Sequence, residues 1–155
     1  MKKHIVVTAT REMPVDVETL KRCLTVEHDI EIVSLPFGEM SLVERETYWR
    51  LIARADALFL RTGVVPYELV GQCRNLKVIG LHGVGIDQVD VRAATEAGIY
   101  VTNVPGGNAQ AVAEFTFGLM LSAMRQIPRA DNFVKNGLWD AARTVGRELS
   151  GKRLG

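Results

Sequence analysis

From the amino terminus to residue 102, short runs of aliphatic and β-branched residues alternate with stretches whose apolar positions recur every three to four residues. The short runs, at 5–7, 30–33, 57–60, 77–81 and 99–102, have the length and the polar or Gly/Pro borders of strands. Pro36 closes the second of them. Between the runs, helical spacing predicts a helix over 15–24, with Val17, Leu20 and Leu24 on one face and Pro14 at its start. A second is predicted over 42–55, with Glu44 and Glu46 in an acidic first turn that the helix dipole favours. Shorter helices are predicted at 66–73 and at 89–97, the latter stopped by Gly98. Strand–helix alternation of this kind predicts an α/β domain with an open, doubly wound, parallel five-stranded sheet of order 2-1-3-4-5.

The pattern changes at Val104, Pro105, Gly106 and Gly107. Asn108 stands where it can cap a helix that continues to about Arg125 and is apolar on nearly every face from 111 to 124. A helix apolar all round must be buried on more than one side. Pro128 is expected to break it, a second short helix to run to about Asn136, and Gly137, Leu138 and Trp139 to close that one. No strand remains for this helical arm to pack on, so it needs a partner. Burying about four of its large apolar side chains would contribute on the order of 6–12 kcal/mol before entropy. A dimer or larger assembly through residues 108–139 is therefore expected. Gly151, Lys152, Arg153, Leu154 and Gly155 look like a turn feeding a further strand, and the expectation is that the chain is one part of a longer enzyme.

Composition narrows the class. A chain of 155 residues suffices for one domain with its own core, and 47% apolar with 24% charged residues is a globular balance. With 19 Lys and Arg against 18 Asp and Glu, the formal charge of +1 and the lack of a basic stripe argue against a nucleic-acid partner. The 111–124 run contains Glu114 and falls short of the roughly 18 residues a bilayer span needs. The apolar run after Lys2 and Lys3 is too short for a signal peptide. Cys23 and Cys73 form no CxxC pair and have no His cluster beside them, which argues for a reducing compartment and against structural zinc. The expectation is a soluble, cytoplasmic protein with no metal, nucleic-acid or membrane partner.

Candidate chemistry lies beyond the carboxyl ends of the strands, where such sheets bind ligands. Gly83 and Gly85 follow the fourth strand in a Gly-x-Gly pattern, but Gln88 occupies the third glycine of a dinucleotide fingerprint. A tight turn accounts for the pair equally well. Arg61 and Thr62, with Gly63, follow the third strand, where a guanidinium and a hydroxyl could hold a carboxylate or phosphate. A solvated surface turn is the simpler alternative. His82 could act as a general base, but no carboxylate is patterned to orient it, and a structural role is the simpler reading. A flavin-mononucleotide protein would want a Gly-containing phosphate loop after the first strand, where this chain has Thr8, Ala9, Thr10, Arg11 and Glu12. A receiver domain would want an Asp at the end of the third strand, where this chain has Arg61, with Asp56 before the strand. Both alternatives fail on these residues.

Taken in order, LKVIGLHGVGID at 76–87 with Val89 and Asp90, AATEAGIYVTNVPGGN at 93–108, VAE at 112–114, RQIP at 125–128, GLW at 137–139 and GRELSGKRLG at 146–155 form a series. The series resembles the D-isomer-specific 2-hydroxyacid dehydrogenases, most closely their phosphoglycerate dehydrogenase branch. The resemblance covers the whole chain and is strongest from 76 onward. It implies a flavodoxin-like substrate (lid) domain at 1–103. A helical linker and dimerisation arm follows at 104–155, together with the start of the nicotinamide-binding domain. The implied reaction is hydride transfer between NAD or NADP and C2 of a small 2-hydroxy or 2-oxo acid, possibly 3-phosphoglycerate, with a His as general acid/base.

In the family, the full glycine fingerprint and the catalytic Arg, Glu and His lie beyond the position of Gly155. No catalytic residue is thus expected in this chain, which by itself should be inactive and bind NAD weakly or not at all. By resemblance, Arg61 and Thr62 touch the distal part of the substrate, and the backbone N–H groups of Val84 and Gly85 meet its carboxylate near the nicotinamide. Asn108 and Val112 match positions lining the cleft at the domain junction, Asn108 serving substrate and cofactor, Val84 and Val112 the cofactor. Glu114 is read as a structural acid, and His82 is assigned no chemistry. The implied assembly is a homodimer through 108–139. A stand-alone flavodoxin-like module that binds a small acid or oligomerises is the competing reading.

Overall fold

The computed structural model describes residues 2–25, 27–35, 40–143 and 145–154. Two compact units follow one another along the chain, 1–107 and 108–155. Residues 104–107 stay with the first because the Val104 N–H bonds to Gly83 O at 2.8 Å and the Gly107 N–H to Val104 O at 3.2 Å.

In the first unit, β1 (Lys3–Ala9), β2 (His28–Ser34), β3 (Ala57–Leu60), β4 (Val78–Leu81) and β5 (Tyr100–Thr102) form one parallel sheet of order β2-β1-β3-β4-β5. One line of paired residues crosses it: Ile32, Val7, Phe59, Gly80 and Thr102. Residues 5–9 of β1 are buried without alternation, as a strand covered on both faces must be. The edge strands β2 and β5 contain no buried residue. The strand order agrees with the sequence reading. Pro36, expected to close β2, lies outside the described residues.

Side chains that satisfy free N–H groups decide three helix starts, two of which differ from expectation. The first helix, α1 (Val17–Cys23), begins at Asp16 rather than near Pro14, since the Asp16 carboxylate accepts from Thr19 N at 3.0 Å and Thr19 Oγ1 at 2.6 Å. The next, α2 (Leu42–Arg54), opens on a capping box. Glu44 Oε2 accepts from Ser41 N and Ser41 Oγ at 3.0 and 2.7 Å, while Ser41 Oγ accepts from Glu44 N at 3.3 Å. Glu46 takes no part in this cap and sits 3.8 Å from Arg50. Tyr48 and Ile52, four positions apart, are the buried face of α2.

After β3 comes α3 (Tyr67–Val70), and α4 (Val91–Glu96) starts on Asp90, which accepts from Ala93 N at 2.8 Å. Val89, expected inside that helix, instead pairs with Val65 as an isolated parallel bridge. Asp56 clamps the start of β1, accepting from Lys3 Nζ at 2.8 Å and His4 N at 2.9 Å. These bonds, the lysine's first, hold its carboxyl below the usual range.

The second unit is helical: α5 (Ala109–Arg125), α6 (Ile127–Lys135) and α7 (Trp139–Ala142), the last not foreseen from sequence. Gln126, not Pro128, ends α5. It adopts φ of 54°, and its N–H turns back to Ala123 O and Ser122 O. Pro128 falls in the first turn of α6, where a missing N–H costs nothing. Asn108 occupies the N-cap position of α5, but its side chain makes no capping bond. No described residue of this unit is buried. No helix among the described residues is long and apolar enough to cross a membrane.

Candidate functional site

The site is built at the carboxyl ends of β1, β3 and β4. Thr8, fully buried near the end of β1, donates from Oγ1 to Thr62 O at 2.7 Å and accepts from Arg61 N and Thr62 N, each at 3.1 Å. Its hydroxyl thus spends one donor and two acceptor positions on the turn after β3. Sequence reading passed over Thr8 because its partners lie more than fifty positions away. A lone hydroxyl at the end of an otherwise apolar buried strand was the available signal.

The turn continues through Gly63 at φ of 89°, where a Cβ would come within 3.0 Å of Tyr48 Oη and 3.2 Å of Leu35. Glycine is needed here for conformation and for space. Burial raises the Tyr48 phenol well above its usual range.

The turns after β3 and β4 are tied together. Gln88 donates from Nε2 to Gly63 O at 3.1 Å, the Val65 N–H donates to Gln88 O at 2.7 Å, and the Asp90 N–H to Val65 O at 2.9 Å. This is the work of the residue standing where a fingerprint would carry its third glycine. On the far side, Asn103 Nδ2 donates to Val84 O at 2.7 Å and the Val104 N–H to Gly83 O. With its carbonyls so engaged, the 83–85 loop leaves the N–H groups of Val84 and Gly85 without a protein acceptor among the described residues. Both residues are exposed. Two adjacent free N–H groups suit a carboxylate or phosphate oxygen.

Arg61 is half-buried at the end of β3. Its Nη1 contacts His82 Nδ1 and lies 3.3 Å from His82 Nε2. The His82 ring meets Phe59 edge-on, with centroids 5.8 Å apart, and its backbone N–H bonds to Leu60 O. Arg61 Nε is buried without a partner. The structure therefore joins two residues that the sequence reading treated separately, and gives His82 a guanidinium where a general base would need a carboxylate.

Among the expected contacts, Thr62 is fully buried, and its Oγ1 has no partner. Its side chain is closed to solvent, so what it contributes here is the backbone turn that carries Arg61. Arg61, Thr62, Val84 and Gly85 all lie in the first unit, after the neighbouring strands β3 and β4. Asn108 and Val112 are exposed members of the second, as is Glu114, which accepts from Gln110 Nε2 at 2.8 Å.

The Gly83–Gly85 loop departs from a dinucleotide fingerprint, which opens directly into a helix. A Cβ on Gly83 would meet nothing within 4 Å, and one on Gly85 only Asp87 Oδ2 at 3.5 Å, so packing within the chain requires neither glycine. The helix that follows starts only at Val91 and has 6 residues. Among the described residues no three His, Cys, Asp or Glu side chains gather as a metal site. Cys23 is exposed and free; Cys73 is half-buried and free, its thiol pushed up to about 11 by burial.

The sequence pattern of the D-isomer specific 2-hydroxyacid dehydrogenase catalytic domain is matched by residues 5–147. D-3-phosphoglycerate dehydrogenase of Archaeoglobus fulgidus is 43% identical over 114 residues, which are 73% of this chain and 22% of that protein. Hydroxypyruvate reductase of Thermotoga maritima is 36% identical over 143 residues, 92% of this chain and 44% of that one. The solved structure of 3-phosphoglycerate dehydrogenase from Entamoeba histolytica with bound NAD+ shares the fold, with a TM-score of 0.67 at 24% identity, over 96% of this chain and 44% of the other. The chain thus spans less than half the length of these relatives. With the pattern matched across nearly all of its sequence, the chain belongs to the D-isomer-specific 2-hydroxyacid dehydrogenase family.

Proposed function

We propose that this chain forms the substrate-binding lid and the dimerisation arm of a cytoplasmic, NAD- or NADP-dependent 2-hydroxyacid dehydrogenase of the phosphoglycerate type. The observation that carries the reading is that the turn bearing Arg61 and the loop with the free N–H groups of Val84 and Gly85 follow neighbouring strands and are tied to each other. An α-carboxylate suits the two N–H groups, and a second anionic group such as a phosphate suits the guanidinium. 3-Phosphoglycerate carries both. Thr62 carries Arg61 through the backbone of the turn, and Asn108 and Val112, which the resemblance assigns to substrate and cofactor, belong to the second unit. The reaction, hydride transfer between nicotinamide and C2 of the acid, belongs to the complete enzyme. No step of it is assigned to a residue of this chain, which we expect to be inactive and to bind NAD no better than weakly by itself.

The arm is proposed to pair two copies of the chain through 108–139. Support comes from Val112, Phe115, Phe117, Leu119 and Leu121, all exposed along α5, a stripe too large to be left in water.

Steady-state oxidation of 3-phosphoglycerate, D-glycerate and D-lactate tests the reading, run with the 155-residue chain and with the product of its complete reading frame. Turnover is expected only from the complete product. Arg61→Ala in that product should raise KM for the phosphorylated acid by about 10- to 100-fold, the worth of a charge-assisted hydrogen bond. Turnover by the 155-residue chain would refute the inactivity, and an unchanged KM would remove Arg61 from the site.

A further inference from the structure

We infer that His82 is the positioning residue for Arg61, holding its guanidinium ready for the distal anionic group of the substrate. The inference rests on the reading of Arg61 given above. Arg61 is anchored at both ends: its backbone N–H bonds to Thr8 Oγ1, and its Nη1 bonds across the strand gap to the ring of His82. An arginine side chain without such a hold samples many rotamers, and an anion that binds it must order it first. The hold spends one donor of Nη1 and, with Nε buried, leaves Nη2 and the second proton of Nη1 to grip an anion.

The chemistry fixes the form of His82. A guanidinium only donates, so the ring nitrogen that faces Nη1, Nδ1 being the nearer, must be the one without a proton. The ring in turn is braced by Phe59, edge-on at 80° between planes. Two features of His82 can therefore be separated. One is the acceptor at the Nδ1 position; the other is the ring against Phe59. Asn in place of His keeps an amide oxygen near the Nδ1 position and gives up the ring, whereas Phe keeps the ring and gives up the acceptor. His82 is exposed, so neither change disturbs the core.

The experiment is an NMR titration of 3-phosphoglycerate into the 155-residue chain, as wild type, Arg61→Ala, His82→Asn and His82→Phe. It follows the Arg61 Nε–Hε signal and the Val84 and Gly85 amides. The expected result is that wild type and His82→Asn bind with Kd values within about 2-fold of each other. His82→Phe should bind about 3- to 10-fold more weakly, the cost of ordering one long side chain, with its Arg61 Nε–Hε signal broadened. A glycerate titration without the phosphate should show no difference among the three His82 forms, which a general loss of structure would not spare.

If His82→Phe binds as wild type does while Arg61→Ala is weakened, the positioning role falls and the Arg61 reading stands. Equal binding by wild type and Arg61→Ala would sink both. If His82→Asn is weakened while His82→Phe binds as wild type does, the ring rather than the acceptor matters and the inference is overturned.

Discussion

Residues 1–107 and 108–155 carry apolar side chains in comparable density and treat them in opposite ways. In the first unit, Val6, Val7, Ile52, Leu58, Leu60, Leu69 and Ile79 are sealed between the sheet and its helices. In the second, no described residue is buried; Phe115 and Trp139 are each 68% exposed and Phe117 57%. The contrast follows from architecture. A parallel sheet supplies two faces that its own crossover helices cover, whereas three helices in series, the longest of them apolar around its circumference, have no internal surface large enough to receive those side chains. The first unit is closed by its own sequence, and the second exposes what a partner would cover.

Breaking that contrast should have its largest effect where the apolar stripe is open. Phe115→Ser with Phe117→Ser should weaken self-association by about 3–6 kcal/mol, two large side chains' worth of burial, read by sedimentation equilibrium. The melting of the first unit should not change. A wild-type chain that sediments as a monomer at micromolar concentration would leave the dimer without support. Next in size, Ile52→Ala empties a fully buried position of the first unit and should cost about 2–5 kcal/mol in urea unfolding. The same truncation at exposed Leu119 should cost the monomer almost nothing, and equal costs at the two sites would erase the distinction.

Smaller still, Gly63→Ala forces a side chain into φ of 89° against Tyr48 and Leu35 and should cost about 1–3 kcal/mol, visible in the same urea series.

The smallest expected effect is alkaline. Burial pushes the Cys73 thiol up to about 11, so the folded state favours the neutral form. The stability this represents is intact below the unfolded thiol's value and is lost as pH rises through about 11. Thiol-reactive reagents at pH 8 should label exposed Cys23 well before Cys73. Equal labelling rates would show that the first unit opens more readily than its burial implies.

Strand number and strand order were legible because each strand is a short apolar run, and such runs have few ways to pair in parallel once helices must cross between them. Helix ends were less legible. Asp16 and Asp90 act through side-chain bonds to N–H groups three residues on, a signal present in the sequence but outweighed by Pro14 and by apolar periodicity, whereas the start of α2 at Leu42 was legible. The end of α5 at Arg125 was legible but its cause was not, because nothing about Gln126 announces a left-handed backbone, while Pro128 nearby offered a more familiar stop.

Arg61, Val84 and Gly85 could be singled out as candidates in advance, from their place after strands and from family resemblance. Thr8 and His82 could not. Their roles depend on neighbours 53 and 21 positions away, and no local pattern encodes a distance of that kind.

What the sequence determined by itself was the alternation of strand and helix, the parallel sheet, the family, and the presence of an arm with more apolar surface than it can bury. These follow from local periodicity and from motifs whose residues lie close along the chain. What only the tertiary structure decided was which groups meet: the Thr8 hydroxyl beneath the turn after β3, Gln88 binding that turn to its neighbour, and His82 against Arg61. Hydrogen bonds act over about 3 Å, and only the folded sheet brings residues so distant in sequence within that reach.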